Sequence, residues 1–210
     1  MRGNAVTPPD FIPRHRIDAL VDAVLAITMT LLVLELRVPE VMQGDVFGAI
    51  GELTPQIVAW VVSFLILAVC WHGHVVNFRA IEHIDARLFW LVTLWLLVTS
   101  VIPFSSSLIG VHNELAQSHI IYAINIIAIQ AAVVLRNLYL RRHPGLFRDG
   151  TAEGHPIGWM RALAVSLAAA ASVAVACYWT TDYASVAYLA IGPIGATLRR
   201  INPRKGEISP

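Results

Sequence analysis

The sequence predicts an all-α membrane protein with six transmembrane helices per chain, and three observations carry that prediction. Of the 210 residues, 57% are hydrophobic and only 14% charged, whereas soluble domains run near a quarter charged. Mean hydropathy is +0.65. Six apolar stretches divide the chain, most close to the roughly 20 residues with which a helix rising 1.5 Å per residue crosses a hydrocarbon core of about 30 Å. Little chain is left for a second domain. Residues 1–210 therefore read as one transmembrane domain, with disordered tails at 1–13 and 201–210.

The first helix is expected within Arg16 to Pro39. It opens with charge, is apolar from Ala23 to Leu34, and closes on Glu35, Arg37 and Pro39. It lacks a small-residue cleavage site and carries Asp22, so it reads as a span and not a signal peptide. A carboxylate facing lipid costs a few kcal/mol, so Asp22 should face protein or water. The connector 40–52 is polar, and Val46-Phe47 with Ile50 suggests a short interfacial piece. The second helix runs from about Pro55 to Asn77, apolar until Trp71-His72-Gly73-His74, and a charged loop from Arg79 to Arg87 follows. The third, from about Leu88 to Leu108, is interrupted late by Pro103 and the Ser105-Ser106-Ser107 run. A proline there frees a carbonyl that neighbouring hydroxyls or water must satisfy. The fourth runs from about Ser118 to Leu140, before the basic, turn-rich RRHPGLFRDGTAEGHP. The fifth, about Gly158 to Tyr178, is Ala-rich and suited to close packing. The sixth, about Tyr183 to Leu198, is short and bent or broken by Gly192-Pro193.

With six spans, both termini share a side with the loops after the second and fourth helices. Every Lys and Arg except Arg37 falls in or beside those segments, and the positive-inside rule makes that side cytoplasmic. The opposite side is acidic, with Glu35, Glu40, Asp45, Glu52, Glu114 and Asp182. The net charge of +1 gives no general attraction to nucleic acid. Cys70 and Cys177 lie in apolar segments, so no disulfide framework is implied. There is no internal repeat, no nucleotide-binding glycine loop, no paired CxxC, no HExxH and no TVGYG filter sequence.

Ala23, Ile27, Thr30 and Leu34 recur at steps of three or four on the first helix, with Leu31 beside them. Periodicity alone favours ordinary helix packing over a pore lining. Arg16 and Asp22 bracket the inner end of that helix. Trp71, His74 and Asn77, at similar depth on the second helix, are candidate hydrogen-bond donors to Asp22. This set reads as a structural polar network ahead of a proton relay, although His74 brings pH sensitivity within reach. Two histidines spaced as His72 and His74 point about 200° apart on a helix, so with His83 they make a poor metal site. No metal or other cofactor is expected. Ser105 to Ser107 with His112 is the only nucleophile-and-base candidate, and serines beside a helix proline are more often backbone partners.

Arg16-x-x-x-Leu20-Val21-Asp22 followed by AVLAITMTLLVLELRVP resembles the first helix of the transmembrane protein 175 family of potassium channels, whose signature is R-x-x-x-F-S-D before an apolar run ending in Glu and Pro. The resemblance continues in Trp71-x-x-His74-x-x-x-Phe78, in Asp85-x-Arg87-Leu88-x-Trp90-Leu91, and in Pro103-Phe104 with Leu108-x-Gly110. It covers roughly the first half of the chain. Here Leu20 and Val21 replace the signature Phe and Ser, and Val75 stands where a second His often follows His74. The resemblance implies a channel without a filter loop, in which the first helix of each unit surrounds the axis of a homotetramer. It assigns the narrowest aliphatic ring to Ile27, a hydroxyl ring to Thr30, and further pore-lining positions to Leu31 and Leu34. Glu35 near the outer mouth would concentrate cations. The expected protein is a potassium-preferring cation channel of a bacterial plasma membrane, open also to protons in one version of the reading. Its partners would be its own copies, the bilayer and the permeant potassium ion. The competing readings are a proton-coupled secondary transporter using Asp22 and His74, against which the missing inverted repeat counts, and a non-conducting scaffold or enzyme.

Overall fold

A computed structural model describes residues 12–37 and 46–148. The expected fifth and sixth helices, the connector 40–45 and the tails 1–11 and 201–210 lie outside the described residues. Within them the chain is almost entirely helical. Four helical stretches are long and apolar enough to cross a membrane: Arg14–Glu35, Thr54–Phe78, Ala86–Val111 and Ala116–Arg142.

Helix α1 (Arg14–Leu31) passes into a 3-10 turn, Leu32–Glu35. Ile17, Val21, Leu25, Thr28 and Leu32 follow one another by three or four residues and form its buried face. The hydroxyl of Thr28 donates to the Val24 carbonyl at 2.8 Å, so the one polar group on that face is satisfied within the helix. The suspected interfacial piece is a short helix, α2 (Val46–Glu52). Pro55 lies in the first turn of α3 (Thr54–Phe78), where a missing N–H has no helical partner to lose. The α4 helix (Ala86–Thr99) is capped by Asp85, whose Oδ1 accepts from the Leu88 N–H at 2.9 Å.

The expected third helix is two. After α4, the chain passes through Ser100-Val101 and resumes as α5 (Ile102–Val111). Pro103 sits in the first turn of α5, where its ring is tolerated, so the break falls just before the proline. Asn125, on α6 (Ala116–Arg142), donates from Nδ2 to the Val98 carbonyl at 2.8 Å and accepts from the Ser105 hydroxyl at 3.1 Å. One side chain thus serves both sides of the break. Beside it, the Ser63 hydroxyl bonds to Ser106 and Tyr122, each at 2.8 Å, and ties α3 to α5 and α6. Gly110 permits a further close approach, because a Cβ there would meet the Gln56 Cα at 3.1 Å.

α3 packs on α5, α6 packs on α4 and α5, and α1 lies against α3. The core runs through this bundle as Leu25, Leu67, Phe78, Leu88, Trp95, Ile102, Tyr122 and Ile129. At one end three segments meet. Ile12 and Pro13, expected in the disordered tail, form a strand, β1 (Ile12–Pro13), that pairs antiparallel with β2 (His83–Ile84). Ile81 bridges to Phe147, with Glu82 N–H donating to the Leu146 carbonyl and Arg148 N–H to the Ala80 carbonyl, each at 2.9 Å.

Asn125→Leu should lower stability by about 1–2 kcal/mol, since it strands the Val98 carbonyl and leaves the Ser105 hydroxyl only its longer bond to Ile102. A thermal unfolding midpoint of the solubilised protein equal to wild type would count against the bridging role.

Candidate functional site

The two faces of α1 are treated oppositely by the fold. Ile17, Val21, Leu25 and Leu32 are at most 3% exposed, while Ile27 is 59%, Leu31 44% and Leu34 69% exposed. Ala23, Ala26 and Thr30 are exposed on the same side. Packing against α3 to α6 therefore does not account for the Ala23–Ile27–Thr30–Leu34 stripe. An apolar stripe this continuous, left out of the core of the described residues, is open to lipid, to another part of the chain or to a second copy.

Thr30 gives the stripe a polar element with a defined sense. Its hydroxyl donates to the Ile27 carbonyl at 2.8 Å. The donor is thereby spent inside the helix, and the oxygen has only lone pairs to offer outward. Glu35 is part-buried at the end of the 3-10 turn.

Asp22 is exposed on α1 and accepts from the Trp71 indole N–H at 2.8 Å. The other two expected donors do not reach it. His74 is buried and turns to different partners, with Nδ1 3.4 Å from Nη1 of Arg136 and Nε2 3.6 Å from Oδ1 of Asp18. A guanidinium only donates, so Nδ1 presents its lone pair and the ring proton sits on Nε2, facing the carboxylate. Asn77 is half-buried and Arg16 exposed, and neither forms a hydrogen bond or ion pair among the described residues. Arg14 takes the place expected for Arg16. Its Nε lies 3.1 Å from Oδ2 of Asp18, and its Nη1 reaches the carbonyls of Arg79 and Ile81. Val21, at the signature serine position, is wholly buried, and Leu20 is 40% exposed.

Arg136 completes a line running Arg14–Asp18–His74–Arg136 through the end of the bundle near β1 and β2. It is 1% exposed, with its guanidinium carbon 5.0 Å from the centre of the Phe78 ring and 5.5 Å from that of Trp95. These rings also stack on His74, at 4.0 and 5.4 Å. Aromatic faces replace water around the cation. Sequence reasoning missed Asp18, Arg14 and Arg136. Two signals were available: the i, i+4 spacing of Arg14 and Asp18, and a charge set back from the end of an apolar helix, which points inward by default.

Ser105, Ser106 and Ser107 donate to the Ile102 or Asn125, Ala59 and Phe104 oxygens respectively. His112 faces Glu114 at 3.9 Å, so no serine is paired with it as a nucleophile would be. Among the described residues no three His, Cys, Asp or Glu side chains cluster as a metal site would require.

Asp18 is the carboxylate that faces both Arg14 and His74, whereas Asp22 holds one exposed bond. Asp18→Ala should destabilise by about 1–3 kcal/mol and lower the unfolding midpoint more than Asp22→Ala does. The reverse order in a melting experiment would show that the line through His74 does not hold the bundle.

Comparison with known proteins bears on the whole arrangement. A family model described as the endosomal/lysosomal potassium channel TMEM175 matches residues 16–103. A protein of Streptomyces collinus named as a potassium channel is 31% identical over 137 residues, covering 63% of this chain and 66% of that relative. One from Chamaesiphon minutus, also named as a potassium channel, is 30% identical over 140 residues, covering 64% and 68%. The matched region thus spans about two thirds of the length of these relatives. The crystal structure of a lysosomal potassium-selective channel TMEM175 homolog from Chamaesiphon minutus aligns with a TM-score of 0.64 at 21% identity, over 88% of this chain and 97% of that one. At that identity the structural match speaks for the fold, and the sequence matches speak for descent. The chain belongs to the TMEM175 family.

Proposed function

We propose that the chain is one subunit of a homotetrameric, potassium-preferring cation channel, with α1 of each copy around a central axis. The carrying observation is the bare stripe of α1, which holds Ile27, Thr30, Leu31 and Leu34 on the face that the subunit's own core leaves uncovered. The names of the Streptomyces and Chamaesiphon relatives support the same reading. Six spans per chain, the last two within 158–178 and 183–198, would set both termini on the cytoplasmic side of a bacterial plasma membrane.

In this reading Ile27 forms the narrowest ring. A ring of aliphatic side chains makes an ion shed water while returning little, and potassium sheds water at lower cost than sodium. Selectivity from such a ring is modest and needs no filter loop. Thr30, one turn outward, offers its oxygen lone pairs to the partly dehydrated ion. Leu31 and Leu34 continue the wall, and Glu35 raises the local cation concentration at the mouth. A small tightening at Ile27 closes the path, because apolar constrictions also gate by expelling water. The Asp22–Trp71 bond and the line from Arg14 to Arg136 hold α1 against α3 and α6, and so fix the angle at which the stripe faces the axis.

Flux of potassium and sodium into liposomes holding the purified protein tests the proposal, with proton flux measured alongside. Saturable, proton-coupled uptake would replace the channel by a carrier. A folded protein without four-fold symmetry, or without flux, would overturn it. Ile27→Asn should raise conductance a few-fold and bring the potassium-to-sodium ratio toward one, because an amide gives any cation a partner at the narrow point. Unchanged permeation in single-channel recordings would remove Ile27 as the constriction.

A further inference from the structure

Away from the α1 stripe, α4 and α6 leave a groove of about 600 Å³ between them, a volume in the range of small-molecule sites. Its walls are Trp90, Leu94, Leu135 and Leu138, which are 67%, 42%, 49% and 44% exposed. One end is basic, where Arg87 and Arg142 line it together with Tyr139 and His143.

The chemistry at that end is asymmetric. Arg87 and Arg142 are exposed and form no hydrogen bond or ion pair among the described residues. The nearby carboxylate does not neutralise them by contact. Asp85 accepts from the Tyr139 hydroxyl with one oxygen and from the Leu88 N–H with the other. His143 is held in place, stacked on Tyr139 at 4.1 Å with Nδ1 2.9 Å from the Tyr139 carbonyl. Two guanidinium groups without an ion-pair partner among the described residues thus stand at the polar end of a cleft whose other walls are apolar.

From this juxtaposition we infer that the groove is a binding site for an anionic phospholipid, its phosphate held between Arg87 and Arg142 and an acyl chain laid along Trp90, Leu94, Leu135 and Leu138. Guanidinium groups bind phosphate oxygens in paired, charge-assisted hydrogen bonds, which a zwitterionic headgroup partly offsets with its own cation. Basic clefts between membrane helices on the cytoplasmic side suit anionic headgroups, and Trp90 and Tyr139 have the amphipathic character of residues at headgroup level. The basic end is the end where β1, β2 and the 146–148 segment meet, so the leaflet is the one that the basic residues assign to the cytoplasm.

Native mass spectrometry of the full-length protein, equilibrated with equal amounts of phosphatidylglycerol and phosphatidylcholine, tests the site. Wild type should retain phosphatidylglycerol in preference, and the double variant Arg87→Gln with Arg142→Gln should lose about tenfold of that preference or more. Arg79→Gln, which removes a basic residue of the same end outside the groove, should leave it unchanged. Leu94→Trp narrows the apolar wall without touching the charges and should reduce retention, which covers the case in which the double variant fails to fold. Equal retention of both lipids by wild type, or equal loss in Arg79→Gln, would overturn the site. So would a cross-link from position 94 in a bilayer to residues 158–178 or to a second copy, since the groove would then be filled by protein.

Discussion

Arg136 has nowhere to find water. It lies on α6 with its guanidinium set against the rings of Phe78 and Trp95 and one nitrogen of His74. A buried cation of this kind is costly unless aromatic faces and hydrogen-bond acceptors surround it. Meeting that demand brings α3, α4 and α6 to one point. The remaining nitrogen of His74 then turns toward Asp18 of α1, which also pairs with Arg14 on the same helix. The rotation of α1 follows from this anchoring. With Ile17, Val21 and Leu25 directed into the core, Ile27, Thr30 and Leu34 have no place in it.

The polar groups of the bundle divide into two layers with different duties. At the end where β1 meets β2, the charged groups Arg14, Asp18 and Arg136 are linked across helices through the His74 ring. Further toward the opposite end, Ser63, Ser105, Ser106, Tyr122 and Asn125 exchange neutral hydrogen bonds around the gap between α4 and α5. Water is absent from a hydrocarbon core, so a backbone break survives there only where side chains replace the missing bonds. Asn125 does this with one donor and one acceptor. The gap is a built feature of the span and not a weak point in it.

Much of this was legible in the sequence. Length and apolarity gave the four described spans, and the family blocks from Arg16 to Gly110 overlap the region 16–103 that the family model matches. The stripe was legible as a periodicity. Its exposure was not, because a packing face and a bare face have the same spacing on a helix. Depth along the helices points to Trp71 as the partner of Asp22, but also to His74, which turns elsewhere, since depth along a helix says nothing about the side on which a ring emerges. Arg16 and Arg14 are two residues apart and so point to different sides of α1. Arg14, four residues before Asp18, is the one that shares its face of the helix. The break falls before Pro103 and not at it, because proline disrupts the turn before it while fitting well into the first turn of a new helix.

The clasp at the basic end has a consequence for how the protein is made. β1 and β2 are both available to pair once the second span and its loop have emerged, since both strands lie within the first 84 residues. The bridge between Ile81 and Phe147 must wait for α6 to be synthesised and inserted. Until then the loop from Ala80 to Ile84 has one side bonded and the other open. The same loop therefore keeps a record of assembly: half-closed with three spans in the membrane, and sealed only when the fourth has arrived.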